Sequence, residues 1–434
     1  MNIAIIGFDR QGRDAYDYWN KPGNTIVICD QNSNLSVPSN AKHNLGQHYL
    51  DNLHKYDLIL RTPGLHPRQI TDANPEHPEV LHKVWSVTNE FLKVCPTKNI
   101  IGVTGTKGKG TTSTLIAKML EAAGKKVHLG GNIGISPLQL LKNDIQPDDW
   151  VVLELANFQL IDLKFSPPIA VCLMVEPEHM DWHTDMDEYL AAKQQLFVHQ
   201  IPTDTAIYYG NNSNSRQVAA VSKGNHLAYM TDQGAQVNDN AFVIDGQTIC
   251  KTNEVKLLGK HNWQNICAAI TATWPIIQAG NPIAQVLQSF SGLPYRLEKV
   301  ATINEISFFN DSFGTTPETA QVAVEAISAP KVLILGGSSK GSDYTALANT
   351  IKANNVRHVI LIGDTAATIK SALAGAGYIR TASGGSSMEE IVRTAKEYAL
   401  PGDAIVLSTA CASFDMFNNY QDRGEQFNEV VKSL

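Results

Sequence analysis

Cysteine is scarce in this 434-residue chain: six residues, Cys29, Cys95, Cys172, Cys250, Cys267 and Cys411, with no CxxC pair. Thiols scattered through so long a chain exclude a disulfide framework and a cysteine zinc site, and read as buried or incidental. Basic residues are not in excess, 35 against 42 acidic ones for a net charge of −7, so neither a basic tail nor a nucleic-acid partner is expected. A local cationic site for an anionic ligand stays open. No run approaches the roughly 18 apolar residues of a membrane span. The start, MNIAIIGFDR, lacks the basic flank and long apolar stretch of a secretory leader. A soluble cytoplasmic protein is therefore expected. The composition is ordinary globular, 43% hydrophobic with 31 Gly and 19 Pro, and the length suits about three domains at roughly 150 residues each.

Short β-branched runs alternate with turns and helical stretches throughout, the pattern of α/β domains built on parallel sheets. Residues 2–6 predict a strand, 7–12 a glycine turn, 13–19 a helix, and 25–29 and 58–60 further strands. The turn GFDRQG lacks the third spaced glycine of a dinucleotide fingerprint, yet a nucleotide can still lie across such strand ends. A second start at 99–103 runs directly into GTKGKGTT, with a helix expected over 111–122 and strands at 127–129, 150–155 and 169–175. The stretch 204–256 reads as an antiparallel appendage or an excursion from the main sheet. The third segment predicts strands at 303–309, 331–335, 359–362 and 404–407, with helices at 317–326, 343–351 and 387–398.

Gly102-Val-Thr-Gly105-Thr106-Lys107-Gly108-Lys109 fits the G-x-x-x-x-G-K frame of a phosphate-binding loop, between a strand and a helix as that motif requires. Glycines let the backbone wrap phosphate oxygens, and the helix start aims its N–H groups at them. Lys109 can reach the β- and γ-phosphates. The hydroxyl that usually follows the lysine is Gly110 here, with Thr111 one place later as the nearest substitute ligand for magnesium.

Glu154 sits in the apolar strand VVLELA, where a carboxylate is costly unless paired or metal-bound. Beside a phosphate loop it suits Mg²⁺, directly or through water. His179 follows in the crowded loop EPEHMDWH, and hard oxygen donors favour magnesium or manganese with ATP over zinc. Lys193, in the helical run 187–197, reads by itself as a solvated helix face. Asn265, in HNWQN, is an amide that can read an adenine edge, and Arg296, at the junction of the second and third segments, suits phosphate neutralisation.

These stretches, GVTGTKGKGTT, GGNIG, LELANFQL, EPEHMDWH, YLAAK, HNWQN, GLPYRLE, NDSFGTTPET, GGSSKGSDY and STACASFDMFNNYQDRG, together resemble the Mur ligases, the amide-bond-forming ATPases of peptidoglycan precursor synthesis. They fall in family order across the second and third segments; the N-terminal third matches loosely through its βαβ start and RTPG at 61–64. The resemblance implies three α/β domains: residues 1–96, Rossmann-like, for the UDP end of a sugar nucleotide; 97–296, a central P-loop ATPase domain; and 297–434, Rossmann-like, for the incoming amino acid. It implies ATP and Mg²⁺ as cofactors, UDP-N-acetylmuramoyl-L-alanine and D-glutamate as substrates, an acyl-phosphate intermediate, and a monomer. Lys109 would contact the ATP phosphates within the loop Gly105, Thr106, Lys107, Gly108, Gly110 and Thr111. Thr111, Glu154 and His179 would hold magnesium together with Lys193, carbamylated and so turned from cation to anion. Asn265, Arg296 and Asp311 would serve ATP, Asn132 the muramoyl substrate, and Lys340, Ser413 and Phe417 the glutamate.

The chain departs from the family pattern in three places. DSFGTT stands for DSKATN, so Phe313 replaces a lysine; Gly110 replaces the loop serine or threonine; and Ala156 and Asn157 stand where two serines are common. Phe313 keeps L-glutamate or another amino acid open as the alternative substrate. A folyl-polyglutamate-like ligase shares the loop and domain plan, but SFDMFNNYQDRG favours the muramoyl reading; a non-catalytic nucleotide-binding partner of another ligase would predict loss of the metal groups, which are all present.

Overall fold

The computed structural model describes residues 1–39 and 41–434. Contacts divide the chain into two units, Met1–Glu254 with Trp263–Val286, and Val255–Asn262 with Leu287–Leu434.

The first unit holds two parallel sheets. One runs in the spatial order Lys42–Leu45, Thr25–Asp30, Asn2–Ile6, Leu58–Arg61, Val84–Trp85. Its order reverses at Asn2–Ile6, and the crevice beyond the carboxyl ends of such strands is the usual ligand position in doubly wound sheets. Gly7 turns the chain there at φ +84°, and the Thr62 hydroxyl occupies the space a Cβ would need. Asp9 caps the helix Arg10–Trp19 by accepting from the N–H groups of Gln11 and Gly12.

The other sheet has six parallel strands in the order Asn225–Tyr229, Thr205–Tyr209, Ile169–Cys172, Ile100–Thr104, Trp150–Glu154, Val127–Gly131. Strands covered on both faces need continuous apolar sequence, and Val151, Val152 and Leu153 are each 0% exposed. A three-stranded antiparallel sheet, Gln236–Asn238, Ala241–Ile244 and Gln247–Lys251, follows.

Within this unit the two parallel sheets are joined through the buried Arg61. Its Nε and Nη2 donate to the two Asp162 carboxylate oxygens at 2.7 and 2.9 Å, and Nη2 also donates to the Phe158 carbonyl at 2.9 Å. Nη1 donates to the carbonyls of Thr62, Pro63 and Leu65, at 3.2, 3.2 and 2.7 Å. A planar guanidinium with its donors shared among so many acceptors fixes the RTPG loop against the central sheet.

The second unit has one six-stranded sheet in the order Glu298–Ile303, Ile306–Asn310, Ala404–Leu407, Lys331–Gly336, Val356–Ile362, Thr381–Ser383. The first pair is an antiparallel hairpin and the rest is parallel.

The expected elements shift in instructive ways. The strand read over 303–309 is instead interrupted by a two-residue turn: Asn304 and Glu305 have φ +49° and +64°, the type I′ geometry that folds a tight hairpin. Residues 204–256 do both things that were expected in the alternative: 205–209 and 225–229 extend the main parallel sheet, and only 236–251 are antiparallel. The helix read over 111–122 starts earlier, at Lys109, because Gly108 supplies the left-handed turn before it.

Candidate active site

The strand Ile100–Thr104 ends in the glycine loop, and the helix Lys109–Ala122 begins at Gly108. Each motif glycine answers a steric demand. A Cβ on Gly102 would stand 2.7 Å from Pro167 Cγ, and one on Gly105, φ +144°, 2.6 Å from Leu173 Cβ. At Gly108, φ +86°, a Cβ would run into the Asn265 side-chain oxygen. Asn265 thus packs on the loop itself. No side chain caps this helix start, in contrast to the helices that begin after Asp9, Ser86, Asp185 and Asn419. An uncapped helix start of this kind favours an anion through its dipole. Thr106 anchors the loop's flank: its hydroxyl donates to the Glu176 carbonyl at 3.0 Å and lies 3.0 Å from the Tyr189 hydroxyl. Lys107 is exposed, and Gly110 and Thr111 are buried in the first helical turn.

Two lysines meet at this loop. Lys109 Nζ donates to the carbonyls of Gly105 and Thr106 at 3.1 and 2.8 Å, and Lys193 Nζ donates to the same Gly105 carbonyl at 3.1 Å. Lys193 is 0% exposed, which overturns its reading as a solvated helix face. The helix Met186–Gln194 turns it inward, where its Nζ also lies 4.3 Å from the centre of the Tyr189 ring. Burial, reinforced by the Lys109 charge, pulls its ammonium down to about 7. An amine of that kind is neutral and nucleophilic over much of the physiological range.

Glu154 ends an interior strand and is 5% exposed. Asn132 grips it twice, its amide N–H donating to the Glu154 carbonyl at 2.8 Å and its Nδ2 to Oε1 at 2.9 Å. The close approach depends on Gly131, φ +107°, where a Cβ would strike the Glu154 carbonyl. Carboxylate and hydroxyl oxygens from Glu154 and Thr111 are hard donors of the kind magnesium takes. His179 sits in a left-handed turn at φ +58°, its ring 4.7 Å from that of Phe158 and its side chain 41% exposed.

A different trio forms the compact ligand-type cluster among the described residues: His66, His183 and Glu188, with donor atoms all within 4.8 Å. Its hydrogen bonding argues against a metal. His66 Nδ1 accepts from the Arg68 N–H at 3.1 Å, which leaves the ring hydrogen on Nε2, facing Glu188 Oε1 at 3.2 Å. A metal at Nε2 would need that hydrogen moved to Nδ1, against an N–H. His183 Nδ1 lies 3.3 Å from Glu188 Oε2. The trio is one carboxylate shared by two imidazoles, whose pKa values burial lowers. Trp182 closes over it, with its ring 4.4 Å from that of His66 and its indole N–H donating to the Gly64 carbonyl at 3.0 Å.

In the second unit, Asp311 accepts from the Ser408 hydroxyl at 2.7 Å and from the Leu297 N–H at 3.1 Å, and burial raises its carboxyl to about 7. Arg296 lies between Tyr295 and Leu297, both left-handed at φ +61° and +49°. The loop of the exposed Lys340 is tied to that of Ser413: the Ser338 N–H donates to the Ala412 carbonyl at 3.0 Å, and the Asp415 N–H to the Ser338 hydroxyl at 2.8 Å. Ser413 is buried, and its carbonyl accepts from the Phe417 N–H at 2.8 Å. Phe417, expected beside the amino acid, is 8% exposed and packs in the apolar core with Phe308 and Phe427, because it opens the turn into the helix Tyr420–Lys432. Phe414, 73% exposed, is the aromatic that this loop presents to solvent.

Sequence reasoning missed Arg423. Fully buried, it donates from Nε to the Ser312 hydroxyl at 2.9 Å, from Nη2 to the Ser312 carbonyl at 2.8 Å, and from Nη1 to the Cys411 carbonyl at 3.2 Å. It therefore braces the Asp311 loop against the Ser413 loop. Its only sequence signal is its place in NYQDRG.

Gly108→Ala tests the loop. With φ positive and Asn265 in the way, the variant is expected to bind ADP about 5- to 30-fold more weakly in calorimetric titration, from roughly 1–2 kcal/mol of backbone strain, with an unchanged circular-dichroism spectrum. Unaltered ADP affinity would show that the loop does not hold the phosphates.

Two family models match the chain, the Mur ligase middle domain over residues 103–273 and the Mur ligase glutamate ligase domain over residues 295–411. The UDP-N-acetylmuramoylalanine–D-glutamate ligase of Acetivibrio thermocellus is 35% identical, over 100% of this chain and 96% of its own. That of Clostridium tetani is 32% identical over the same shares. Among solved structures, the UDP-N-acetylmuramate–alanine ligase of Thermotoga maritima superposes with a TM-score of 0.61 at 15% identity, over 100% of this chain and 99% of that one. The MurF ligase of Thermotoga maritima, in complex with ADP, gives 0.62 at 15% identity, over 99% and 94%. At such identities the structures establish the three-domain α/β fold, and the sequence relatives establish the lineage: the chain belongs to the Mur ligase family.

Proposed function

We propose that the chain joins D-glutamate to UDP-N-acetylmuramoyl-L-alanine with ATP, through an acyl phosphate, releasing ADP and phosphate. The observation that carries this reading is the glycine loop with its uncapped helix start and its two lysines on one carbonyl, in a chain similar end to end to D-glutamate ligases. On this reading residues 1–96 take the UDP end, 97–296 the ATP and 297–434 the amino acid.

The substrate's terminal carboxylate oxygen attacks the γ-phosphorus, and the bond to the bridging oxygen of ADP breaks. Lys109 and the loop amides of Gly105 to Thr111 neutralise charge on the transferring group and on ADP. Asn132 holds the Glu154 carboxylate in place and lies at the muramoyl substrate. Magnesium, held by Glu154 and Thr111 with His179 and a carbamylated Lys193, would supply charge neutralisation on the phosphate oxygens. The neutral glutamate amine then attacks the acyl carbonyl, the amide forms and phosphate leaves. Asn265, Arg296 and Asp311 serve the ATP in this scheme, and Lys340, Ser413 and the backbone around Phe417 the glutamate.

Carbamylation gives Lys193 a reason to be buried. A buried ammonium with one hydrogen bond is costly, whereas its neutral amine can attack CO₂, forming an N–C bond and losing a proton, to leave an anion beside Lys109. With ¹³C-bicarbonate, a carbamate carbon resonance absent from Lys193→Arg is expected. Its intensity should rise as pH passes upward through about 7, where the amine becomes neutral. No resonance at pH 8 would refute the modification.

For the function, the protein is incubated with ATP, Mg²⁺ and UDP-N-acetylmuramoyl-L-alanine, with D- or L-glutamate in parallel, and product is followed by mass spectrometry. Product with D-glutamate alone is expected. Product with L-glutamate alone would favour the second reading, for which Phe313 is the observation, and no product from either would reject the glutamate assignment.

A further inference from the structure

Phe313 is 38% exposed, an uncommon position for a large apolar ring, and the guanidinium carbon of Arg296 lies 3.6 Å from its centre. That is a stacked cation–π contact. The two segments are also hydrogen-bonded to each other. The Phe313 N–H donates to the Tyr295 carbonyl at 2.9 Å, and the Leu297 N–H donates to Asp311 Oδ1 at 3.1 Å. Between those bonds Arg296 is presented by two left-handed residues, Tyr295 at φ +61° and Leu297 at φ +49°. Two non-glycine residues in that region flanking one arginine are backbone strain that the surrounding bonds hold in place. The Phe313 ring is itself seated, edge to face with Tyr420 at 5.1 Å between centres.

We propose that Phe313 is a positioning residue: its ring is a shelf that holds the Arg296 guanidinium ready for a nucleotide phosphate. The inference rests on the assignment of Arg296 to ATP made above. A guanidinium stacked by its face keeps its N–H donors in the plane, where a phosphate can take two of them at once. The ring thus serves the phosphate through Arg296 and carries no charge of its own. A lysine at 313 would set a second cation against the guanidinium and push it off the stack.

The test compares steady-state kinetics of the full chain, with ATP, glutamate and the sugar nucleotide varied in turn, for Phe313→Leu, Phe313→Tyr, Phe313→Lys, Arg296→Ala and the double variant Phe313→Leu/Arg296→Ala. Phe313→Leu is expected to raise KM for ATP about 3- to 10-fold, with kcat and the other two KM values within about twofold. Phe313→Tyr, which keeps the ring, should match the natural protein, and Phe313→Lys should be at least as impaired as Phe313→Leu. In the Arg296→Ala background the Phe313→Leu change should add nothing, since there is no guanidinium left to hold. If Arg296→Ala raises KM for ATP while Phe313→Leu does not, or if the Phe313→Leu effect falls on glutamate, the shelf is refuted and the Arg296 assignment survives. If Arg296→Ala leaves KM for ATP unchanged, that assignment fails and takes the shelf with it.

Discussion

One carbonyl oxygen, that of Gly105, receives two lysine ammonium groups, Lys109 from the start of the loop helix and Lys193 from the helix Met186–Gln194. Everything around the loop follows from bringing these two cations together. Like charges so close, one of them fully buried, repel and lose hydration, so the arrangement persists only where something anionic is to be bound or where one lysine gives up its charge. The loop meets the first condition through its uncapped helix start, and the lowered basicity of Lys193 meets the second. Gly105 itself holds φ +144° with Leu173 where a Cβ would stand, so the carbonyl shared by both lysines belongs to a position that glycine suits.

Two buried arginines perform the corresponding task in each unit. Arg61 gathers the carbonyls of the RTPG loop and the Asp162 carboxylate, and Arg423 gathers Ser312, Cys411 and Ala412. Each replaces water with a set of directed acceptors, so that loops carrying functional side chains rest on a rigid base. Removing one partner from such a set leaves unpaired buried polar groups, which is why these positions matter more to geometry than their distance from the chemistry suggests.

Much of this was legible in the sequence. The strand–glycine loop–helix arrangement announced itself through its glycine spacing, and Glu154 as a carboxylate in an apolar strand. What local pattern could not supply was orientation. Lys193 lies on a short helix flanked by Leu190 and Phe197, and nothing in that run says that its side chain turns into the core toward Gly105. Phe417 shows the converse: an aromatic in a motif of candidate site residues packs with Phe308 and Phe427. Arg423 meets Ser312, and His66 meets Glu188, across more than a hundred residues of chain, so these contacts exist only after folding. The hairpin at Asn304–Glu305 was hidden because neither residue is glycine.

On the proposed function, ATP held at the glycine loop activates a substrate carboxylate by giving it the γ-phosphoryl group. The direct test uses UDP-N-acetylmuramoyl-L-alanine labelled with ¹⁸O in its terminal carboxylate, with mass analysis of the phosphate released during coupling. One labelled oxygen is expected to pass from substrate to phosphate in every turnover, since the carboxylate oxygen that attacks the γ-phosphorus leaves with it. Phosphate free of label, formed alongside coupled product, would contradict it.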